Sequence, residues 1–146
     1  MTKKAKRNVS LIFIAIAIAI TIVGYNIWNK PHLNVKDANA IKTTAIALYS
    51  NLSKNDIIAK SNYVNKVVEV TGEITQVFFN QQHQQILLLK SNVSGGSVNC
   101  TMEEKITNIR VGELIALKGI CIGYIGGDMD MGLPGDVFLT RCYPSI

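Results

Sequence analysis

Apolar residues are arranged in two different ways along this chain, and the change divides it. From Val9 to Trp28 no charged residue interrupts an Ile/Ala-rich run, LIFIAIAIAITIVG at its centre. Twenty helical residues at about 1.5 Å each span about 30 Å, the hydrocarbon thickness of a bilayer, so the run predicts one transmembrane helix. The modest helix propensity of Ile matters little there, because backbone groups in lipid must bond internally. Further along, apolar positions become periodic. Ile41, Ala45, Leu48, Tyr49 and Leu52 recur at helical spacing behind Asp37, which can cap the helix they predict. A second helical turn is expected from Asp56, as its cap, to Ser61.

From Lys66 the period falls to two. Val68, Val70 and Ile74 alternate with Glu69, Thr71 and Glu73 in a strand reaching Phe79, with Gly72 as an expected bulge. A turn over Asn80–Gln84 leads to a second strand, Gln85–Lys90. After a turn ending in Gly95-Gly96, Val98, Cys100 and Met102 alternate with Asn99 and Thr101 in a third. Glu103 to Asn108 reads as a polar helical connection, and a fourth strand sets Ile115, Leu117, Gly119 and Cys121 on one face. A Gly-rich loop over 126–135 precedes the last strand, Asp136–Tyr143. The chain is thus expected to be mainly β: a five-stranded OB-fold barrel with an N-terminal helix, preceded by one transmembrane helix.

Charge changes the picture in one respect. Lys3, Lys4, Lys6 and Arg7 precede the apolar run; the remaining eleven Lys and Arg face all ten acids. The folded part is near neutral, so the high isoelectric point reports topology rather than a nucleic-acid partner. The expected organisation is a cytoplasmic basic tail (1–8), a signal anchor (9–28), a linker (29–36) and an OB domain (37–146) outside the cytoplasm. A cleaved signal peptide is the alternative. Against it, the Ala15-to-Ala17 and Ala17-to-Ala19 triplets lie inside the apolar run, and Tyr25 and Trp28 suit the membrane interface.

The chain also resembles a bacterial family named for its likeness to tRNA anticodon-binding OB-folds, small exported or membrane-anchored proteins. The residues that carry the resemblance are Lys30-Pro31-His32, Tyr63 and Lys66 to Gly72, Val98-Asn99-Cys100, Val111-Gly112-Glu113, Lys118 to Gly123, and Asp136 to Cys142. It implies a barrel and a cysteine pattern, not an active site, and a likeness of fold does not license a tRNA function.

Candidate chemistry is sparse. Cys100, Cys121 and Cys142 are spaced 21 residues apart, all in expected strands. Thiols outside the cytoplasm tend to oxidise. Cys121 and Cys142 flank the last hairpin loop and are the disulfide candidate; Cys100 with Cys142 is the competing bridge. No Cys-x-x-Cys supports redox catalysis, and no paired ligands support zinc. Asp128-x-Asp130 begins like a calcium loop but lacks the glycine and the bidentate glutamate of an EF-hand. His32 and His83 have no triad partners. No metal, cofactor or enzymatic activity is expected. The candidate ligand face is Gln82, His83, Lys90, Asn99, Tyr124, Asp128, Asp130 and Met131, meeting an envelope protein, a peptide or a glycan. Oligonucleotide binding is the alternative, although Asn80 to Met102 holds no aromatic residue and one lysine.

Overall fold

The computed structural model describes residues 3–28, 34–54, 56–128 and 130–145, with side chains from residue 14 onwards. Expectations for Lys30, Pro31, His32 and Met129 lie outside them. The chain divides into two units, 1–33 and 34–146.

The first unit is one helix, α1 (Lys3–Trp28). Its described side chains, from Ile14 to Trp28, are all exposed, Trp28 by 91%. Among the described residues no helix is long and apolar enough to cross a membrane. The transmembrane helix expected over 9–28 is therefore not found among the described residues.

The second unit begins with β1 (Ile41–Thr44), α2 (Ala45–Ser53) and α3 (Ile57–Tyr63). The long strand β2 (Val67–Phe79) follows, then β3 (Gln85–Lys90), β4 (Ser97–Met102), β5 (Leu114–Ile125) and β6 (Asp136–Pro144). The ladder β2-β3-β4-β6-β5 closes on itself through β2–β5, a five-stranded barrel. All pairs within it are antiparallel except β4–β6. Bulges in β2, at the β4–β6 step and on β5–β6 bend the strands enough for closure.

Three expectations are corrected. The helix does not start behind Asp37; Ile41, Thr43 and Thr44 are β-branched and pair in parallel with Val68–Thr71, and Thr44 Oγ1 caps α2 by accepting from the Ala47 amide at 3.1 Å. The 103–108 connection is not helical. Buried Gln85 holds it extended, its Oε1 accepting from the Ile106 amide at 2.8 Å and its Nε2 donating to the Ile106 carbonyl at 3.2 Å. Finally, Gly72 lies in regular register opposite Ile115, and the bulge falls between Ile74 and Gln76. What Gly72 supplies is space: a Cβ there would lie 2.8 Å from that of Ala45, where α2 packs onto the barrel. The second helix behaves as expected, with Asp56 Oδ1 accepting from the Ile58 amide.

Inside, Leu48, Tyr49 and Leu52 of α2 pack against Val68, Val70 and Ile74, Leu87 and Leu89, Val98 and Cys100, Leu117 and Leu139. Tyr49 ties the helix to the last hairpin loop, its hydroxyl donating to the Gly135 carbonyl at 2.7 Å.

Candidate functional site

Alternation along β3, β4 and β6 leaves one side chain in two outside the barrel. Because the strands pair in register, these outward residues form rows. The central row crosses four strands: Gln76 opposite Leu88, Leu88 opposite Asn99, Asn99 opposite Phe138. On one side lies the row Phe78, Ile86 and Thr101; on the other Lys90 and Ser97, with Asp136 joined to them through Ser97. A groove of about 550 Å³ opens along this second side, bounded by Gln76, Leu88, Lys90, Asp136 and the 91–96 turn.

One atom in the central row is exceptional. Asn99 Oδ1 is buried and has no hydrogen-bond partner, alone in this among the described residues. Leaving a buried acceptor unpaired costs about 1–3 kcal/mol. Its neighbour along β4 is the opposite case: the Ser97 amide and hydroxyl both donate to Asp136 Oδ1, at 2.7 and 2.9 Å.

Both ends of the face are built turns. At one end Asn80 Oδ1 accepts from the Gln82 and Gln84 amides, while His83 takes a left-handed φ of 60°. At the other, the Ser91 hydroxyl accepts from the Val93 amide and donates to the Gly96 carbonyl. The 126–135 loop stands beside that second turn, with Pro134 next to Gly95. Asp128 Oδ1 turns back onto the Asp130 and Met131 amides.

The candidate residues are therefore spread over the face. Lys90 and Asn99 lie on it, with Lys90 Nζ 3.4 Å from Glu73 Oε2. Gln82 and His83 occupy the turn at one end; Asp128, Asp130 and the 72% exposed Met131 occupy the loop at the other. Tyr124 points the other way, packing edge-on against Tyr49 with centroids 5.8 Å apart, its hydroxyl accepting from the Gly135 amide at 2.9 Å. Burial, reinforced by the Tyr124 hydroxyl, pushes the Tyr49 phenol up to about 12.

One residue escaped the sequence reading. Phe138 sits in the central row, while Phe78 and Phe79 are exposed at its edge, with Lys105 Nζ 5.2 Å from the Phe79 ring centroid. The strand alternation of Asp136–Tyr143 could have pointed Phe138 outward; the shift after Ile74 that exposes Phe78 has no signal in composition.

Among the described residues no cluster of three His, Cys, Asp or Glu could hold an ion. The expected Cys121–Cys142 bridge is corrected: all three cysteines are free and buried. Cys121 stands opposite Leu139, not Cys142, so the hairpin register does not join them.

A family model described as tRNA_anti-like matches residues 1–133. No curated protein matches the sequence. Among solved structures, a chain assigned as an aspartyl-tRNA synthetase from Leishmania major Friedlin aligns at 8% identity and TM-score 0.42, covering 80% of this chain and 22% of that one. This chain thus spans under a quarter of the synthetase's length. OBody AM3L09 bound to hen egg-white lysozyme aligns at 16% identity and TM-score 0.38 over 57% of this chain and 84% of its own. OBody AM3L15, bound to the same lysozyme, gives 14% and 0.36 over 58% and 80%.

Proposed function

This chain belongs to the tRNA_anti-like family, and from that premise we propose that it is a non-catalytic binding module, anchored in the inner membrane by its N-terminal helix. Its barrel, outside the cytoplasm, offers the β3–β4–β6 face to a peptide, a glycan or another envelope protein. The anchor reading is supported by the uncharged run from Val9 to Trp28 behind four basic residues, and by the exposure of the described side chains from Ile14 onwards. A helix apolar on every side needs a cover that water does not provide.

Recognition rests on Asn99. Its unpaired Oδ1 is buried between Leu88 and Phe138 on a half-buried side chain, and a turn of the amide outward brings this acceptor to a ligand N–H or O–H. Beside it the groove bounded by Gln76, Lys90, Asp136 and the 91–96 turn adds further polar groups that a peptide or glycan could meet. The test is a photo-crosslinking residue at Gln76, Gln82 or Met131 of the full chain in cells. A discrete protein or glycan adduct, lost when Asn99→Leu is added, supports the reading; an adduct indifferent to Asn99, or none at the three positions, overturns it.

A second reading, single-stranded oligonucleotide, draws on the exposed Phe78 and Phe79 with Lys105 beside them. Base stacking on such rings is worth about 1–3 kcal/mol per base. It requires binding that falls steeply with salt.

A further inference from the structure

The groove beside the central row carries two charged side chains, and they are placed differently. Lys90, the one basic residue of its lining, is already answered, its Nζ donating to Glu73 Oε2 at 3.4 Å. Asp136, the one acidic residue of the lining, has no ion-pair partner among the described residues. Its two oxygens also differ. Oδ1 accepts from the Ser97 amide and hydroxyl, at 2.7 and 2.9 Å, so β4 fixes the direction of the carboxylate. Oδ2 has no hydrogen-bond partner among the described residues and is not one of the atoms shut off from solvent. A held carboxylate oxygen, open at the wall of a groove of about 550 Å³, is complementary to a cation.

The rest of the lining agrees with a peptide. Gln76, Asn92, Ser94 and the backbone of the 91–96 turn supply polar partners for N–H groups, and no aromatic ring lines the groove for a sugar to stack on. Along β6, Asp136 precedes Phe138 by two residues, and Phe138 stands opposite Asn99. The carboxylate therefore lies one row from Asn99, about 7 Å along the strands, a span that one extended peptide covers.

We propose that this groove recognises a peptide segment through a lysine or arginine side chain, whose ammonium or guanidinium donates to Asp136 Oδ2. The inference rests on the peptide reading of the β3–β4–β6 face and narrows it to a basic peptide. With Lys90 turned to Glu73, the groove keeps one unanswered charge, and it is negative. The bond is charge-assisted on both sides. Ser97 orders the carboxylate before the ligand arrives, which lowers the entropy lost on binding.

The test selects random peptides of fixed length, displayed on phage, against the full chain in detergent. The recovered sequences are then measured as synthetic peptides. A lysine or arginine enriched at one peptide position is expected, with affinity lowered about tenfold or more by Asp136→Asn. Replacing that peptide residue by glutamine should weaken binding to the wild-type chain equally, and to Asp136→Asn hardly at all. Asp136→Asn retains an oxygen for the Ser97 donors; should it fail to fold, the peptide change read on the wild-type chain decides alone. Recovered peptides that depend on Asn99 but share no basic residue would overturn this inference and leave the binding face standing. Recovery of no peptide would also overturn it, while crosslinking from Gln76 decides the face itself.

Discussion

Two sides of the same strands are built to different standards. Facing in, Leu87, Leu89, Val98, Cys100 and Leu139 are at most 1% exposed and belong to one continuous cluster. Facing out and one residue away, Leu88, Asn99, Thr101 and Phe138 are half-buried, and one buried oxygen among them is unpaired. A domain of this size is stable by about 5–15 kcal/mol, so an uncompensated cost on one face is noticeable. The inner face is what folding requires; the outer face carries an unpaired acceptor that folding does not use.

The sharpest way to break this comparison is a pair of equal truncations. Leu87→Ala, inside, is expected to cost about 3 kcal/mol from lost transfer energy and the cavity left behind. Leu88→Ala, its outward neighbour, is expected to cost under about 1 kcal/mol. Similar urea midpoints for the two variants would erase the distinction.

Next in size is Gly119→Ala, expected to cost about 1–3 kcal/mol because the new methyl meets Cys142 Sγ and the Thr140 carbonyl. Combined with Cys142→Ala, it should cost less than the two changes summed; strict additivity in a double-mutant cycle would mean that the sulfur is not what fills that space.

Tyr49→Phe removes the donor to the Gly135 carbonyl and is expected to cost about 1–2 kcal/mol at neutral pH. It also bears on pH. Burial lifts the Cys121 thiol from 9.0 to about 11 and the Tyr49 phenol from 10.0 to about 12. The folded chain therefore keeps protons that the unfolded chain releases, so this stability is full below pH 9 and is lost as pH rises to 12. The urea midpoint should fall across that window, less steeply in Tyr49→Phe. A flat profile would show that neither group keeps its proton through burial.

The smallest effect belongs to Asn99→Leu. Deleting an unpaired acceptor should leave stability unchanged or raise it by up to about 1 kcal/mol, while abolishing ligand capture. A large destabilisation would mean that the amide is structural, and the outer face would lose its distinction from the inner one.

Strand positions were well marked in the residues. The run QILLLK, the Val98-Cys100-Met102 alternation and the Asp136 start of β6 coincide with β3, β4 and β6 because period-two burial is a local signal. Ile41–Thr44 was misread because its apolar residue fits a helical stripe, while the parallel partner that makes it a strand lies more than twenty residues away at Val68–Thr71. The 103–108 connection was misread for a similar reason: its extended form depends on the side chain of Gln85.

By itself, then, the sequence determined the apolar run before residue 29, the near-neutral charge after it, and which strand residues face in. All of these depend on spacing between chain neighbours. Only the tertiary structure decided that Cys121 faces Leu139 and not Cys142, that Phe138 and Asn99 share a row, and that Tyr124 turns away to hold Gly135. Those facts depend on bulges and closure, which shift register by one residue and so change which side chains meet across strands far apart in the chain.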